Sequence, residues 1–358
     1  MIATRFFLRS LCVALTSICL LNSPAHAVRY LIQDTSPDAV EGSGEVNSDA
    51  SGCDAGTTAS CCSDANCCDD TMGCCGGYGC LRGLDFIGKD LAHALLHRSD
   101  HCFDEFISPM TNPVFFEDPR TLTEARVIFI NHRTPTLAGN PSAAVRLYAM
   151  QVRAALTQRL SLIATKDGFI TSDSPLVDDG WADINIGLKY NLFRDPWSQS
   201  VLSAGVTYEL PVGSTRTLQG NGDGEFNVFL SGMTEVDGFH LISAAGVRLP
   251  SDEDDENQVF YWSNHVDREL FGGVYALAEV NWYHWMSSGT AFPLPVEGGD
   301  LFNLGSAGVT GNNIVTGAFG AKYKPNGSME LGVAWEVPLT ERRGLLDNRL
   351  TVDCIFRY

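Results

Sequence analysis

The segment WSNHVD contains residue types that occur in hydrolase sites. Ser263, His265 and Asp267 lie two residues apart, and on a β-strand this spacing places the side chains of Ser263 and His265 on one face. A serine next to a histidine can become a nucleophile when the histidine removes its proton. Nothing else in the surrounding sequence indicates activation of either residue. We therefore expect no enzymatic activity, and a serine hydrolase is only the third of three functional hypotheses.

Cysteines form a second chemical group. Ten cysteines follow residue 27, and an even number favours disulfides in an exported protein. Their spacing does not match the two intervening residues of common zinc motifs, although metal binding and unpaired or intermolecular thiols remain as alternatives. Eight of them form the predicted disulfide module: Cys53, Cys61, Cys62, Cys67, Cys68, Cys74, Cys75 and Cys80. The other two are Cys102 and Cys354.

Three histidines are the remaining metal-ligand candidates. His93, His97 and His101 are spaced by four residues, so on one continuous helix they would share a face and could bind a transition metal. Apolar residues at helical spacing predict a short amphipathic helix over about Leu84 to His97. Ser99 and Asp100 are typical of a helix end, which favours a solvated histidine face instead. No other cofactor is expected.

The N-terminus indicates export. Arg5 and Arg9 precede an apolar run from Leu11 to Leu21, and Ala25-His26-Ala27 is typical of a signal-peptidase site. We therefore divide the chain into a signal peptide (1–27), a disordered acidic, Gly- and Ser-rich linker (28–52), the Cys-rich module (53–80) and a helix with an extended connector (81–123). The connector is predicted to be either a plug inside a barrel or a periplasmic linker.

Residues 124–358 predict an all-β transmembrane antiparallel up-and-down β-barrel of about 12 strands, in the cell outer membrane. The last strand, Asn348 to Tyr358, alternates apolar and polar side chains up to a terminal aromatic, as a strand between lipid and a wet lumen must. The alternative is a secreted all-β domain. The predicted strands are 124–131, 143–154, 156–166, 181–192, 199–210, 224–235, 238–249, 257–264, 271–285, 313–323, 327–338 and 348–358.

The links between these strands alternate between short and long, which is typical of outer-membrane barrels with short periplasmic turns and long external loops. The predicted short links are near Ala155, Arg194 to Ser198, Val236-Asp237, His265 to Leu270 and Lys324 to Asn326. The predicted long links are His132 to Ser142, Asp167 to Gly180, Pro211 to Asp223, Pro250 to Glu256, Met286 to Asn312 and Pro338 to Asp347. A soluble sandwich gives no reason for this alternation.

Charged residues on the polar strand faces are the candidate lumen and selectivity residues. Both signs are present, so the charges either pair and fill the barrel or leave a wet pore with a selective field. The small inward residues Ser203, Gly187, Gly320, Gly332 and Ala334 favour an open pore. The candidates are Arg146, Lys189, Glu209, Glu225, Arg248, Glu279, Lys322, Glu330, Glu336, Arg349, Asp353 and Arg357.

One segment carries a family resemblance. DGWADINIGLKYNL, from Asp179 to Leu192, resembles a strand of the outer-membrane channel family named after the MetA pathway of phenol degradation. Gly180, Asp183, Gly187, Lys189 and Tyr190 match the family's pattern of glycines, aspartate, lysine and tyrosine, whereas Ala182 replaces its second glycine. The resemblance implies passage of small, aromatic or hydrophobic compounds across the outer membrane, and it implies no catalytic residue.

These features together predict a passive outer-membrane channel for small solutes, with a non-conducting structural or surface-interaction barrel as the alternative and a barrel lipase as the third hypothesis. The expected partners are outer-membrane lipid, the barrel-assembly machinery and a small-molecule solute. Without residues 1–27 the chain has 22 basic and 43 acidic residues, a net charge of −21. This excess of acid argues against a nucleic-acid partner.

Overall fold

The computed structural model describes residues 96–137 and 139–358, and this part of the chain is almost entirely β-structure. Two single turns of 3-10 helix, His101–Phe103 and Thr215–Thr217, are its only helical elements. None of its helices is long and apolar enough to cross a membrane. The strands are β1 (Glu124–Arg133), β2 (Ala144–Ala155), β3 (Leu160–Lys166), β4 (Phe169–Ser172), β5 (Gly180–Trp181), β6 (Ile184–Asp195), β7 (Ser200–Leu210), β8 (Glu225–Val236), β9 (Phe239–Pro250), β10 (Val259–Phe271), β11 (Val274–Trp285), β12 (Asn313–Asn326), β13 (Met329–Pro338) and β14 (Asn348–Arg357).

The strands form a closed antiparallel barrel because β1 pairs with β2 on one side and with β14 on the other. Strand β2 pairs with both β3 and β4, while β3 pairs with β6 and β4 pairs with β5. Thus β3 and β4 are two halves of one wall strand, and β5 and β6 are two halves of the next. The wall therefore has twelve strands, which confirms the predicted barrel and strand number.

Alternation of side chains along each strand divides the wall into two faces. On β6, Ile184, Ile186 and Leu188 are exposed on the outside, whereas Asn185 and Lys189 are buried inside. The same phase holds on β14, where Val352 and Phe356 face outward and Asp353 faces inward. Cys354 is a free thiol on the outward side. An apolar outer face with polar groups turned inward is the pattern of a barrel surrounded by lipid.

The turns and loops confirm the alternation of short and long links. One end carries the short links 156–159, 196–199, 237–238, 272–273 and 327–328, and the other carries the long loops 134–143, 173–179, 211–224, 251–258, 286–312 and 339–347. We call these the periplasmic and outer ends, since short turns face the periplasm in such barrels. The predicted link His265 to Leu270 is wrong, because β10 continues to Phe271. The turn is Gly272-Gly273, where both residues have positive φ.

The segment before the barrel is partly described. His97 forms an extended bridge with Ala155 on the barrel wall, so the predicted helix over Leu84 to His97 does not include its last residue. The remainder of that helix, His93 and the eight cysteines from Cys53 to Cys80 lie outside the described residues, as do the signal peptide and the acidic linker.

The hydrophobic core lies inside the barrel and includes the connector. We call residues 98–123 the plug segment, since most of its side chains are buried within the wall. Phe103, Phe106 and Phe116 pack against Val201 and Ile242 of the wall. This part of the connector therefore lies inside the barrel.

Candidate functional site

Backbone groups of the plug segment are held by carboxylates of the wall. The amide of Ser108 donates to Glu330, and those of Met110 and Thr111 donate to the two oxygens of Glu279 at 2.7 and 2.6 Å. Hydrogen bonds to an ionised carboxylate are stronger than neutral ones. These bonds fix the height of the plug within the barrel.

Glu117 of the plug segment ties it to the opposite wall. Its two carboxylate oxygens accept hydrogen bonds from Arg153 at 2.9 and 2.6 Å, and one also accepts from the Lys189 ammonium at 2.8 Å. All three side chains are buried. A buried charge left without its partner is costly, so these three groups must remain together for the plug to stay in place.

A second ionic cluster lies on the other side of the plug. Glu330 pairs with Arg357 and with Lys322, and Lys322 also pairs with Asp353 at 3.0 Å. Arg126 completes the cluster by pairing with Asp353 and donating to the carbonyl of Pro109 in the plug. Paired charges thus surround the plug segment within the lumen.

The long outer loop 286–312 closes the barrel from the other end. Asp300 of this loop forms a bidentate pair with Arg349, with both oxygen-to-nitrogen distances at 2.7 Å. Asn303 donates to Glu225, and Arg248 donates to the carbonyl of Gly299. Plug and loop therefore obstruct the axial path from both ends.

The structure buries eleven of the twelve candidate lumen residues inside the barrel, and all eleven lie near plug, loop or wall partners. Arg146 is the exception, because it does not face the lumen. It lies in phase with the outward-facing Tyr148 and Met150, near the outer end of β2, and its guanidinium pairs with exposed Asp173. Sequence reasoning missed Arg126, Arg153 and Lys166, although strand alternation from Glu124 would have placed Arg126 inside.

Small inward residues do not leave an open pore, contrary to the expectation from sequence. A Cβ atom at Gly332 would lie 2.5 Å from the sulfur of Met110 in the plug, and one at Gly320 would lie 2.3 Å from the carbonyl oxygen of Val333. The space at Gly332 is therefore taken up by the plug segment. The glycine makes room for protein, not for solute.

The wall itself is interrupted between β3 and β4. Strand β2 pairs with β4 through Val145–Tyr148 and with β3 through Val152–Ala155, so Ala149, Met150 and Gln151 have no ladder partners there. Gly168 has a φ of 116°, and a Cβ on it would lie 2.4 Å from the carbonyl oxygen of Tyr148. Only glycine fits this position, because its backbone is left-handed and closely approached.

An open groove of about 660 Å³ lies at this interruption. It combines outward-facing side chains with inward-facing ones, so it passes into the thickness of the wall. Aromatic rings stand beside it: Phe129 and Tyr148 are 5.2 Å apart between ring centroids, as are Phe169 and Trp181. The groove is lined by Val127, Ile128, Phe129, Tyr148, Ala149, Met150, Asp167, Gly168, Trp181, Ala182, Ile184 and Val212.

Behind the groove, inside the barrel, is an apolar pocket of about 20 Å³. Ile128, Ala149, Asp167 and Ala182 line both spaces. On its inner side the pocket is covered by Leu301 and Phe302 of the outer loop 286–312. The groove and the pocket together form the candidate site, which we call the wall opening.

The segment that resembles the channel family forms one edge of the wall opening. It supplies Gly180 and Trp181 as β5 and then Ala182, whose amide donates to the carbonyl of Gly168 at 2.9 Å. The Asp183 carboxylate accepts hydrogen bonds from the amides of Gly213 and Gly220 in the loop 211–224. Asp183 therefore positions an outer loop beside the opening.

Ser263, His265 and Asp267 do lie on one face of β10, buried in the lumen. The His265 ring is held by Glu279 on one nitrogen at 2.7 Å and by Asp267 on the other at 2.8 Å. Ser263 instead accepts a hydrogen bond from Asn112 of the plug. Within the described residues, the His265 ring and the Ser263 hydroxyl therefore do not bond to each other.

The histidine metal site predicted from spacing is only partly described. His97 lies in the extended bridge to Ala155, and the His101 ring bonds to Asp104 at 2.9 Å. In the described part of the chain, the one group of three residues close enough to hold an ion is Glu105, Glu235 and His240. None of these was a candidate from sequence, since they are far apart in the chain or separated by a turn.

Comparison with known proteins identifies the fold. The COG4313 outer membrane channel from Pseudomonas putida F1 superposes with a TM-score of 0.51 at 13% identity, covering 71% of this chain and all of that one. The KdgM porin gives a TM-score of 0.41 at 9% identity, with 65% and 99% coverage. The translocator domain of the autotransporter NalP from Neisseria meningitidis gives 0.40 at 12% identity, with 68% and 91% coverage. No family model matches the chain, and no curated protein does.

The chain is an outer-membrane β-barrel. Its closed twelve-stranded wall, apolar outer face and loop asymmetry meet the physical requirements of that membrane, and the P. putida channel has the same kind of fold. The aromatic residues Tyr190, Tyr323 and Trp335 are exposed on the outside of the barrel. Lipid is therefore a partner of this surface.

At the outer end of this barrel, one buried carboxyl is held in its neutral form. Glu256, in the loop between β9 and β10, is buried, and burial together with the nearby Glu225 and Glu209 carboxylates raises its pKa to about 9. Its Oε2 atom has no hydrogen-bond partner among the described residues. Ionisation would place an additional negative charge beside two carboxylates.

Glu256→Gln should stabilise the barrel, and the gain should depend on pH. The folded pKa lies above the ordinary carboxyl value of about 4.5, so the wild type loses stability as pH rises from there to about 9. Glutamine cannot ionise. We expect wild type and variant to have equal urea midpoints near pH 4. At pH 8 the free energy of unfolding of the variant should be higher by about 2–4 kcal/mol. Glu253→Gln, which changes an exposed carboxylate of the same loop, is the control, and an equal gain in both variants would contradict the assignment.

Proposed function

We propose that this protein is an outer-membrane channel for small hydrophobic or aromatic compounds, and that these compounds use the wall opening. The observation that carries the proposal is the contrast between the two paths. The axial path is filled by the plug segment and loop 286–312, whereas the wall opening is apolar and faces lipid. The proposed route runs from the outer mouth, beneath the outer loops, through the pocket and into the membrane.

The chemistry of the two paths favours apolar solutes. Movement along the axis would have to displace buried ion pairs such as Glu117 with Arg153, and separating such a pair costs several kcal/mol. Movement through the wall opening exchanges water for apolar and aromatic surface, which is favourable for a hydrophobic compound. A compound released into lipid does not need to cross the plug at all.

The pocket must widen for a solute to pass, since about 20 Å³ holds little more than one water molecule. Leu301 and Phe302 are the side chains that cover it from the outer loop. We propose that movement of these two residues opens the pocket. The loop backbone is held by Asp300 and Asn303, so the proposed movement is a rotation of the Leu301 and Phe302 side chains between them.

Membership of the family named after the MetA pathway of phenol degradation is part of this proposal. The segment Asp179 to Leu192 carries the resemblance. Its Trp181 and Ala182 line the wall opening, and its Asp183 positions the loop 211–224 beside it. The substrate class implied by the resemblance, small aromatic or hydrophobic compounds, suits an apolar opening with aromatic residues beside it. We further propose that the chain is not an enzyme, a view supported by the partners of Ser263 and His265.

Recognition by the barrel-assembly machinery also remains a proposal. Strand β14 closes the barrel against β1, and the amide of terminal Tyr358 donates to the carbonyl of Thr123. The outward Phe356 and the terminal aromatic support this proposal, since a closing strand that ends in an aromatic resembles the assembly signal of such barrels.

Ala182→Phe should block the wall opening. The added ring would occupy the boundary between groove and pocket, which Ala182 lines from both sides. We expect uptake of radiolabelled toluene by cells producing the variant to fall about tenfold relative to wild type, close to cells without the protein, if the opening is the only route. Ala276→Phe, on the exposed lipid-facing side of β11, is the matched control and should leave uptake unchanged.

Equal toluene uptake in wild-type cells and in cells without the protein would contradict the channel and favour the non-conducting structural barrel. Full uptake by Ala182→Phe, with the variant folded by its heat-modifiable gel mobility, would contradict the wall route. Both outcomes are measurable in the same set of strains.

A further inference from the structure

We propose that Glu105, Glu235 and His240 bind a divalent transition-metal ion of the zinc class at the periplasmic end of the barrel. One ligand atom from each residue lies within 4.8 Å of the other two. Imidazole nitrogen and carboxylate oxygen are ligands that Zn²⁺ accepts in proteins. Glu105 belongs to the plug segment, whereas Glu235 and His240 belong to the wall, so the ion would join the two.

The fold brings the two wall ligands together without any movement. Glu235 and His240 are directly opposite each other across the β8–β9 hairpin, whose turn is Asp237-Gly238. Opposite residues in an antiparallel pair have Cβ atoms about 5 Å apart. Glu105 follows the 3-10 turn of the plug segment and reaches the same place from inside the barrel.

The His240 ring is already oriented as a metal ligand would be. It is 4% exposed, its Nδ1 is bonded to Asp267 at 2.7 Å, and its ring packs 4.6 Å from that of Phe106. Histidines that bind metals commonly donate their other nitrogen to a carboxylate. Nε2 is then the nitrogen available to an ion, and it has no hydrogen-bond partner among the described residues.

The two carboxylates also lack cationic partners. Neither Glu105 nor Glu235 forms an ion pair or a side-chain hydrogen bond within the described part of the chain, and Glu235 is half-buried. Two negative groups close together beside a buried imidazole repel each other unless a cation lies between them. A divalent ion would neutralise both carboxylates. For each ligand atom to lie about 2.1 Å from the ion, the three atoms need to move only slightly closer together.

The proposed site is connected to the middle of the plug. Asp267 also bonds to His265, and His265 bonds to Glu279. Glu279 in turn accepts the amides of Met110 and Thr111. An ion at the periplasmic end would hold the plug directly through Glu105 and would fix the first member of this hydrogen-bonded chain, so the site is suited to fastening the plug to the wall.

Titration of the folded full-length protein with Zn²⁺, after its free thiols are blocked with N-ethylmaleimide, tests the site. We expect Glu105→Gln and Glu235→Gln each to lose binding by about 10- to 100-fold or more, and Asp267→Asn, which disturbs the orientation of His240, by about tenfold. Asp237→Asn is the matched control. It removes a charge from the same turn at a left-handed position that asparagine tolerates, and should leave binding unchanged.

Each outcome decides the proposal. The expected pattern supports it when all variants keep the heat-modifiable mobility of a folded barrel. Absence of a zinc-binding event in the wild type would overturn it. So would equal affinity in Glu105→Gln, Glu235→Gln and Asp237→Asn, since the zinc would then be bound elsewhere in the chain. Glu105 is exposed and Glu235 half-buried, so their substitution does not disturb the core.

Discussion

We expect Glu117→Ala to weaken one of the two obstructions of the axial path, the plug segment, and so to make the barrel conduct ions more often. Glu117 is the plug residue that pairs with Arg153 and Lys189. Its removal leaves the buried Lys189 ammonium without its carboxylate partner and the buried Arg153 guanidinium with Glu124 alone. Loss of such a pair costs about 3 kcal/mol or more, which corresponds to about a hundredfold rise in the population of plug-displaced barrels. In planar bilayers the variant should show frequent discrete openings, where the wild type shows few.

The openings of Glu117→Ala should also favour anions, because Lys189 would then carry a positive charge in the lumen that no carboxylate compensates. Asp173→Asn is the control. It removes a carboxylate from the exposed pair with Arg146 on the outside of the wall, where an ion pair contributes about 1 kcal/mol or less. Equal conductance in wild type, Glu117→Ala and Asp173→Asn would contradict the role of Glu117 as an anchor.

Glu330→Gln should destabilise the barrel more than any surface substitution. Its carboxylate lies between Arg357 and Lys322 and also accepts the amide of Ser108. The neutral amide keeps the shape but leaves an excess of buried positive charge. We expect a loss of about 3–5 kcal/mol in the free energy of unfolding, measured by urea titration of the protein in lipid vesicles.

The comparison variant for Glu330→Gln is Glu341→Gln, in the exposed outer loop between β13 and β14. Its effect should stay within about 0.5 kcal/mol. If Glu330→Gln unfolds at the same urea concentration as the wild type, the ionic cluster around Glu330 does not stabilise the barrel, and the proposed role of paired charges in filling the lumen is wrong.

The wall of the barrel could be predicted from sequence because it follows a local rule. Alternation at period two fixed the faces of β6 and β14, and the alternation of loop lengths fixed the direction of the barrel. Two errors have local causes. Arg146 shares the phase of the outward-facing Tyr148 and Met150. The charged residues Asp267, Arg268 and Glu269 belong to β10 and not to a link.

The contents of the lumen could not be predicted in the same way. Nothing in the sequence states that Glu117 meets Arg153 and Lys189, since those contacts depend on how the connector folds back into the barrel. The small inward residue Gly332 suggested free space, but the same residue is what allows Met110 to enter. The wall opening also depends on strand pairing. Gly168 and Ala182 line it only because β2 has no ladder partners beside them, and the sequence of these residues does not indicate that break.

Diffraction from crystals grown with bromobenzene shows which path a hydrophobic solute takes, because the anomalous signal of bromine locates the solute without any assumption about transport. We expect bromine at the wall opening, between Ile128, Ala149 and Ala182, with Leu301 and Phe302 displaced from the pocket. Bromine along the barrel axis beside the plug segment, or no bound bromine in this opening at saturating solute, would rule out the wall opening as the route.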